Sequence, residues 1–447
     1  MDKKPLSIGQ IAEIEINGIS HQGHGIGRLH NFAVFVQGAL PKEKVKVSIS
    51  SIKKNYAKAD LLEILSPCAE RVETFCPYYD SCGGCHLMHS DYKAQLAIKE
   101  SLVASALRKI GHFNDIVILP ILPSPMPLYY RNRCQLHCLW QDGQLLLGFF
   151  EPKSHRLCEI ESCSLLAPVL NDILADLPSY LQQWAANLSM LKQIDLRTDY
   201  SFSQVFVNLV FESIQDEQQL KEMAEDLLLR FTAIKSVSAQ VKKGKPYWIH
   251  LAGVKYIEEK ISGLSFSHAQ GSFLQINPSQ TENLYAVALD FAAINNSQTV
   301  IDLYCGIGTI SLLLARKAQQ VVAVEEFAPA IEQANMNAII NDINNIRFIT
   351  GKAEEVLPEL LKEGLHANVI VLDPPRSGCD KTVIDTALAM NAERIIYISC
   401  DPATMSRDLR LFCGYRVEKV QPVDMFPQTC HVECVILMQR SGLKDKK

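Results

Sequence analysis

The sequence predicts a three-part α/β protein, with a small β-barrel over residues 1–66, a mixed α+β region over 67–265 and a doubly wound domain over 266–447. In the last part, apolar strand-length segments such as VIDLYCG, VVAVEE, VIVLDPP and IIYISCDP alternate with helix-like segments. This alternation is typical of a parallel sheet covered by helices on both faces. In the first part, short runs such as IAEIEINGI and EKVKVSISSI are separated by glycine-rich turns, which predicts an all-β unit. A chain of 447 residues also exceeds the usual size of one hydrophobic core.

The spacing of the N-terminal strands predicts a five-stranded barrel of the OB type. Residues 1–66 contain nine Lys and Arg against six Asp and Glu. This local excess leaves two interpretations open, a surface that binds nucleic acid and an ordinary solvated strand face. Since the whole chain has a net charge of −5, nucleic-acid binding would have to use local patches. A second basic group lies in the middle region, at Lys242, Lys243 and Lys245.

The composition is that of a folded protein, with 48% hydrophobic and 21% charged residues. The apolar segments are of strand length and the N-terminus has no apolar run of the signal-peptide kind, so no membrane association is expected. We therefore expect a cytoplasmic protein, and a monomer without an obligate partner protein. Fourteen cysteines are many for that compartment. Because disulfides are rare there, some of these thiols are expected to bind a metal or to react.

The middle region opens with FCPYYDSCGGCHLMH, in which Cys76, Cys82 and Cys85 have the spacing C-x5-C-x2-C. Three thiols this close, with two glycines that allow a tight wrap, indicate a metal site. The spacing allows either zinc or an iron–sulfur cluster, since both accept four thiolates. An amphipathic helix is predicted to follow, from about Tyr92 to Ile110. The candidates for the fourth ligand are Cys158, Cys163, Cys134 and Cys138.

A glycine turn opens the C-terminal domain in VIDLYCGIGTISLLLA. Gly306 and Gly308 lie between a predicted strand and a predicted helix, where glycine lets the backbone approach a ligand closely. Glu325 ends the next strand, where a carboxylate can accept hydrogen bonds from a ribose diol. The spacing D-x-x-C-G-x-G differs from the dinucleotide pattern G-x-G-x-x-G, and Asp302 could meet an ammonium group. The turn therefore favours S-adenosylmethionine as the ligand.

Two further motifs end predicted strands of the same sheet: DPPR, which begins at Asp373, and SCDP, which contains Cys400. The carboxyl ends of parallel strands meet at one crevice, so both motifs should face the glycine turn. A thiolate there could add to C6 of a pyrimidine and activate C5 for methylation. The helix that follows Cys400 is expected to favour the thiolate through its N-terminal dipole. Taken alone, Cys400 would more often be an ordinary core cysteine.

Methylation at C5 also requires a base that removes the C5 proton. Glu433 lies in the apolar run HVECVIL, and a buried carboxylate is expected to have a raised pKa and a purpose. His431, two residues earlier on the same predicted strand, should point the same way. The alternative interpretation of Glu433 is a strand residue held in a salt bridge.

In their order along the chain, DLYCGIGT, Glu325, DPPRSG, SCDPATMSRDL and DMFPQTCHVE resemble the motifs of the RNA uridine-C5 methyltransferases of the RumA and TrmA type. Upstream, FLQIN at residues 273–277 is similar to that family's F-x-Q-x-N segment. The resemblance covers essentially the whole chain and implies Cys400 as the nucleophile, Glu433 as the base and Asp373 near the uracil edge. It implies that S-adenosylmethionine contacts Gln275, Glu325 and the glycine turn, including Asp302, Tyr304, Gly306 and Gly308. One departure is Cys430, at a turn position where the family often has glycine.

The resemblance also implies a Rossmann-like methyltransferase fold for the C-terminal domain and an RNA-binding TRAM domain for the barrel. Ribosomal-RNA members of the family carry a [4Fe–4S] cluster on the C-x5-C-x2-C motif. Their fourth cysteine precedes a short apolar segment, as Cys163 precedes SLLAPVL here. Because the tRNA branch generally lacks both the barrel and the cluster, 23S ribosomal RNA is the expected substrate.

Three alternatives differ from this expectation. The first is a uridine in tRNA as the substrate. The second is an RNA cytosine-C5 methyltransferase, which would carry a second cysteine directly after the proline of its DPP-like motif. This chain has Arg376 at that position, and Cys379 comes three residues later. The third is a non-catalytic RNA-binding iron–sulfur protein, which would not need Cys400 together with Glu433.

Overall fold

A computed structural model describes residues 6–30, 32–243, 247–269 and 271–442. Lys245 of the second basic group lies outside the described residues. Within these ranges the chain forms a closed barrel, a seven-stranded sheet, an eight-stranded sheet and a two-stranded hairpin. No helix in this described part is both long and apolar enough to cross a membrane.

The barrel closes in the strand order β1-β2-β3-β5-β4, which confirms the predicted five-stranded barrel. Side chains alternate along each strand, because successive residues of a strand point to opposite faces. In the fourth strand, Val45, Val47 and Ile49 are buried in the barrel core, whereas Lys44 is exposed. The strands are β1 (Ile11–Ile19), β2 (Gly25–Leu29), β3 (Phe32–Val36), β4 (Lys44–Ile52) and β5 (Tyr56–Ser66).

Helix α1 (Tyr92–Lys109) and strand β6 (Val117–Ile118) follow the barrel. The predicted amphipathic helix is thereby confirmed, and its N-terminus is capped by Asp91, whose carboxylate accepts a hydrogen bond from the Ala94 amide at 2.7 Å. Both elements lie in the predicted middle region, yet both pack on the C-terminal sheet. The predicted domain boundaries at residues 66 and 265 therefore stay a prediction.

The seven-stranded sheet has the order β13-β12-β11-β10-β7-β8-β9 and carries two helices on its core face. One of its interior strands, VFVNLVF, is buried at every position. The elements are β7 (Arg133–Gln141), β8 (Gln144–Phe150), β9 (Leu157–Glu159), α2 (Pro168–Gln182), β10 (Leu191–Thr198), β11 (Val205–Phe211), α3 (Glu217–Arg230), β12 (Ile234–Val241) and β13 (Tyr247–Gly253).

The C-terminal elements begin with the hairpin and continue as alternating helices and strands. They are β14 (Tyr256–Ile261), β15 (Leu264–Ala269), α4 (Pro278–Ala292), β16 (Thr299–Leu303), α5 (Thr309–Ala315), β17 (Gln320–Glu325), α6 (Ala328–Ile340), β18 (Ile346–Thr350), α7 (Ala353–Lys362), β19 (Val369–Leu372), α8 (Lys381–Met390), β20 (Arg394–Ser399), α9 (Pro402–Leu409), β21 (Tyr415–Val423) and β22 (Glu433–Arg440). The four apolar segments that predicted buried strands correspond to β16, β17, β19 and β20.

The eight-stranded sheet has the order β18-β17-β16-β19-β20-β22-β21-β6. The five strands from β18 to β20 are parallel, and β22 runs antiparallel to β20. The chain moves outward from β16 to β18 and then returns to the other side of β16 with β19. Such a reversal of strand order leaves a crevice at the carboxyl ends of the two strands.

Candidate active site

A cavity of about 1160 Å³ opens at the carboxyl ends of β16, β19 and β20. It brings together most of the residues that the sequence singled out for cofactor binding and catalysis. Those that line it are Gln275, Tyr304, Gly306, Glu325, Asp373, Cys400 and Glu433. One cavity thus joins the glycine turn to the thiol and the buried carboxyl group. Gly308 and Asp302 lie behind its wall.

The glycine turn between β16 and α5 uses left-handed backbone at three residues. The φ angles are 67° at Tyr304, 55° at Gly306 and 83° at Gly308, a region that glycine adopts without a steric penalty. A Cβ at Gly308 would also lie 3.2 Å from the ring of Phe348. Gly308 therefore packs against Phe348 on the side of the turn away from the cavity. Its predicted contact with a cofactor stays a prediction.

Glu325, at the end of β17, holds the turn in place. One carboxylate oxygen accepts a hydrogen bond from the Gly306 amide at 3.1 Å, and the other accepts one from the Phe327 amide at 3.0 Å. The side chain still lines the cavity. Because each carboxylate oxygen can accept more than one hydrogen bond, Glu325 retains capacity for ligand hydroxyl groups.

Asp302 lies below the turn and is almost completely buried. Its carboxyl group accepts a hydrogen bond from the Ser311 hydroxyl. Burial, together with the nearby charges of Asp373 and Glu325, raises the pKa of Asp302 to about 7. The side chain supports the turn from the core, so its predicted direct contact with an ammonium group stays a prediction.

Cys400 follows β20 directly and is half-buried at the cavity wall. The next residue, Asp401, caps α9 by accepting hydrogen bonds from the amides of Ala403 at 2.9 Å and Thr404 at 2.8 Å. Burial and the charge of Glu433 raise the pKa of the Cys400 thiol to about 11. Desolvation and the neighbouring carboxylate therefore favour the neutral thiol in the free chain. The predicted effect of the helix dipole on the thiolate stays a prediction.

Arg376 is the residue that opposes this effect on Cys400. Its guanidinium lowers the pKa of the Cys400 thiol through its charge and a hydrogen bond. It also lowers the pKa of Glu433. Arg376 is exposed at the rim of the same cavity, where a planar cation can also contact an anionic ligand.

Glu433 is the first residue of β22 and is only 3% exposed. Burial, and next the charge of Asp373, raise the pKa of Glu433 to about 8. Burial likewise raises the pKa of Asp373 to about 7. The prediction of a buried carboxyl group with a raised pKa is confirmed. Two carboxyl groups that disfavour each other's charge, beside a thiol, are an arrangement suited to moving a proton near neutral pH.

His431 is not among the residues that line the cavity of Glu433. Its ring packs edge-on against His86, with the ring centroids 5.6 Å apart, and against Phe426 at 6.2 Å. Burial lowers the pKa of His431 to about 4, so the ring is neutral. His431 precedes the first residue of β22 by two positions, outside the regular strand, and so the expected alternation does not apply to it.

The turn between β21 and β22, residues 424–432, is held by polar groups that sequence reasoning missed. Gln95 of α1 donates to the Gln428 side chain at 2.9 Å and accepts from its backbone amide at 3.0 Å. The hydroxyl of Tyr130 donates to the Pro427 carbonyl at 3.0 Å. The sequence of α1 carried a sign of these contacts, because Gln95 and Lys99 lie four residues apart on a helix face that is otherwise apolar and buried. Two polar side chains on such a face indicate polar partners in the core.

A second cavity, of about 430 Å³, is lined by the four cysteines predicted as metal ligands. They are Cys76, Cys82, Cys85 and Cys163. The loop that carries Cys163 is held by Asn171, which accepts from the Cys163 amide at 2.8 Å and donates to its carbonyl at 3.0 Å. Cys158 lies outside the lining, with its sulfur 3.3 Å from the Ser81 hydroxyl. Cys134 and Cys138 belong to β7.

The four thiols fit a group larger than one zinc ion. Zinc with sulfur ligands at about 2.3 Å would hold those sulfur atoms about 3.8 Å apart. Among the described residues, no three of the four cysteines have sulfur atoms within 4.8 Å of one another. Arg131 also lines the cavity, and its charge lowers the pKa of Cys85 against the opposing effect of burial. A cation beside four thiolates suits an anionic cluster.

Comparison with known families places these features together. The chain matches the family described as tRNA (Uracil-5-)-methyltransferase over residues 91–441. It matches the TRAM domain over residues 5–62, which confirms the predicted TRAM domain. The family match covers well over half of the chain and includes every predicted catalytic and cofactor-binding residue.

Curated relatives extend over the whole chain. One from Clostridium tetani, described as an uncharacterized RNA methyltransferase, is 38% identical and covers 99% of both chains. Another from Oceanobacillus iheyensis, with the same description, is 36% identical and covers 97% of both. Among solved structures, the tRNA (uracil-54, C5)-methyltransferase of Pyrococcus abyssi, in complex with S-adenosyl-L-homocysteine, has a TM-score of 0.75 at 23% identity. The match covers 95% of this chain and 99% of that one.

Proposed function

This chain belongs to the tRNA (uracil-5-)-methyltransferase family and is a methyltransferase, and we propose that it methylates C5 of a uridine in RNA with Cys400 as the nucleophile and Glu433 as the base. The observation that carries the proposal is the single cavity that holds the glycine turn, Cys400 and Glu433. A methyl donor bound at the turn and a uracil ring bound at Cys400 would then share one cavity.

The proposed reaction follows from the electronic structure of uracil. C5 is a poor nucleophile until the ring is activated. The Cys400 sulfur forms a bond to C6, the electron pair of the C5–C6 double bond shifts toward C5 and O4, and C5 then takes up the methyl group. Glu433 accepts the C5 proton, the double bond re-forms and the sulfur–C6 bond breaks. Bound S-adenosylmethionine would supply the electrophilic methyl group.

Electrostatics in the cavity match the two proton steps. The thiol proton must leave before Cys400 attacks, and Arg376 is the cation that favours the thiolate. Glu433 must be ionised to accept the C5 proton, and a carboxyl group with a pKa of about 8 is a far stronger base than an ordinary one. The negative charge of Glu433 disfavours the Cys400 thiolate, so the pKa of the thiol depends on whether Glu433 is ionised.

For the cofactor, we propose contacts with Gln275, Tyr304, Gly306 and Glu325, which line the cavity on the side of the glycine turn. Glu325 is held by two backbone amides and still has free lone pairs for the ribose hydroxyl groups. Asp373 lines the same cavity, and its charge acts on both Glu433 and Asp302. It would therefore face the uracil edge.

We propose that the second cavity, called the cysteine cavity below, holds a [4Fe–4S] cluster on the four cysteines that line it, Cys76, Cys82, Cys85 and Cys163. Four thiols around one cavity, spaced too widely for a single zinc ion, support this assignment. When bound, the cluster would tie the loop after the barrel to the loop before α2, since metal ligation contributes folding free energy.

The substrate we propose is ribosomal RNA, most specifically 23S. A basic surface supports RNA binding, because Lys58 of the barrel and Lys153 of the cysteine cavity lie so close that repulsion lowers the pKa of Lys153. Grouped cations of this kind attract a phosphate backbone. A uridine embedded in structured RNA would have to leave its stack to reach Cys400.

A uridine in tRNA is the second candidate. The Pyrococcus abyssi protein, named for tRNA, aligns over 95% of this chain. That alignment is long enough to include a barrel, so the barrel does not separate the two substrates. The cysteine cavity remains the feature that favours ribosomal RNA. Mass-spectrometric mapping of 5-methyluridine in both RNAs, from cells with and without the gene, would decide between them.

The catalytic proposal is tested with RNA that contains 5-fluorouridine. Fluorine at C5 cannot leave as a proton, so the enzyme should methylate the ring and remain bound through Cys400. We expect a denaturation-resistant protein–RNA adduct that forms only with S-adenosylmethionine and maps to Cys400 by peptide mass spectrometry. An adduct at another residue, or methylation of RNA without any adduct, would contradict the proposal.

A further inference from the structure

We infer that His86, Cys430 and His431 form a zinc site. It lies outside the methylation cavity, by which we mean the cavity lined by Cys400 and Glu433. One nitrogen from each imidazole and the Cys430 sulfur all lie within 4.8 Å of one another. None of the three is among the residues that line the methylation cavity or the cysteine cavity. This group is therefore distinct from both sites already described.

The three side chains come from segments far apart in the sequence. His86 directly follows Cys85 in the loop that carries Cys76, Cys82 and Cys85. Cys430 and His431 lie near the end of the turn between β21 and β22, just before Glu433. The backbone brings these segments together, since the His86 and Leu87 amides donate to the Gln428 carbonyl at 2.9 and 3.0 Å. The juxtaposition is thus anchored by main-chain hydrogen bonds and does not depend on the side chains alone.

The barrel closes the site from a third direction, through the loop between β1 and β2. A Cβ at Gly23 would lie 2.8 Å from the Cβ of His86 and 3.7 Å from that of Cys430, so only glycine lets the loop approach this closely. The same loop accepts a hydrogen bond from the Cys430 thiol at the His21 carbonyl, 3.1 Å away. The barrel, the loop that carries Cys85 and His86, and the turn between β21 and β22 therefore meet at this point.

An unpartnered polar atom points to a missing ligand. The Nδ1 atom of His86 is buried and has no hydrogen-bond partner in the described structure. A buried imidazole nitrogen left in this state costs free energy. A metal ion bound to His86 through Nδ1 would remove the cost, and the neighbouring thiol and imidazole would supply two further ligands.

The donor set selects the metal. Two imidazoles and one thiolate suit zinc, which is usually four-coordinate, so water would take the remaining position. On binding, the Cys430 thiol releases its proton to solvent and a sulfur–zinc bond forms. The hydrogen bond to the His21 carbonyl is lost in exchange. Zinc at this point would tie together two segments, the one that carries His86 and the turn that carries Cys430 and His431. Glu433 lies two residues beyond His431.

The test uses the full-length chain, reconstituted with iron and sulfide so that the cysteine cavity is filled, and then given one equivalent of zinc. X-ray absorption at the zinc edge reports only on zinc. We expect one sulfur neighbour at about 2.3 Å and the remaining nitrogen or oxygen neighbours at about 2.0 Å. Competition with a chelator gives the affinity.

The deciding variant is Cys430→Ser, since a serine hydroxyl can still donate to the His21 carbonyl but is a poor zinc ligand. We expect the sulfur neighbour to disappear and zinc affinity to fall at least tenfold. Cys413→Ser is the matched control, because Cys413 is exposed and is not one of the three grouped side chains, and it should bind zinc as the wild type does. Zinc with four sulfur neighbours, no stoichiometric zinc, or an unchanged one-sulfur spectrum in Cys430→Ser would overturn the inference.

Discussion

Lys99 of α1 and Asp424 form an ion pair in which both side chains are fully buried. The Lys99 ammonium also donates to the Phe426 carbonyl at 2.9 Å, and Asp424 accepts from the Tyr92 hydroxyl at 2.7 Å. Asp424 and Phe426 belong to the turn that leads to Glu433, so the ion pair joins α1 to the catalytic side of the sheet. A buried charge that loses its partner is strongly destabilising.

Replacing Lys99 by Met should therefore lower the free energy of unfolding by about 3–5 kcal/mol, because Asp424 is left buried without its cation. The free energy is measured by urea unfolding. Lys93→Met is the matched control, since Lys93 is exposed on the same helix, and it should change stability by less than about 0.5 kcal/mol. Adding Asp424→Asn to Lys99→Met should restore part of the loss. Equal stability of the two single variants would contradict the role of the ion pair.

Cys400→Ala should abolish methylation, because the variant lacks the thiol that is proposed to form the bond to C6. RNA affinity, measured by filter binding, should change by less than about twofold, since a single small side chain contributes little to a phosphate-dominated interface. Cys413→Ser, an exposed thiol, should methylate at the wild-type rate. Turnover by Cys400→Ala would rule out the proposed nucleophile.

Glu433→Gln should slow the step that releases the product, because the amide cannot accept the C5 proton. Loss of a general base lowers the rate by about 10²–10⁴-fold. The covalent enzyme–RNA species should then accumulate with ordinary uridine and be visible as a shifted band in a denaturing gel. Glu363→Gln, at an exposed position, should leave no such band. If Glu433→Gln instead loses S-adenosylmethionine binding, the assigned role is wrong.

The pKa of Glu433 also links stability to pH. Its folded-state pKa of about 8 lies above the ordinary value of 4.5, so the folded chain binds the proton more tightly than the unfolded chain does. This contribution to stability is present at low pH and is lost as the pH rises toward 8, by at most about 1.4 kcal/mol per pH unit. Glu433→Gln removes the titration. Its stability relative to the wild type should therefore increase between pH 5 and pH 8 in urea unfolding experiments, and a constant difference would argue against the raised pKa.

The same values predict how activity depends on pH. Both reacting groups act in their ionised forms, and the pKa values of Glu433 and Cys400, about 8 and 11, both lie above neutrality. The rate constant of methylation in a single-turnover experiment should therefore rise from pH 6 to pH 9. A rate that falls over this range, with RNA binding intact, would contradict the assignment of an ionised base and nucleophile.

The fourth cluster ligand can be tested by a pair of serine variants. Cys163→Ser should lose iron and the visible absorption of the reconstituted chain, because Cys163 lines the cysteine cavity. Cys158→Ser should retain both, because Cys158 lies outside the lining against Ser81. Iron and acid-labile sulfide are measured per chain. Loss of iron only in Cys158→Ser would reverse the assignment.

Local patterns in the sequence determined the strands, the glycine turn and the chemistry at the strand ends. Apolar runs predicted β16, β17, β19 and β20, because strands of a covered parallel sheet are buried on both faces. Their shared direction then required Cys400 and the glycine turn to meet at one crevice. The spacing of Cys76, Cys82 and Cys85 indicated a metal site for a similarly local reason, since a tight loop brings close thiols together.

Contacts between residues distant in sequence, and the pKa shifts that burial causes, were decided only by the tertiary structure. It put Cys163 in the lining of the cysteine cavity, joined α1 to the turn after β21 through Lys99 and Asp424, and grouped His86 with Cys430. It also brings Glu433 close enough to Cys400 that burial and this carboxylate together raise the pKa of the thiol. Helix position can be read from neighbouring residues, but desolvation and the charge of a carboxylate from another strand depend on the packed fold.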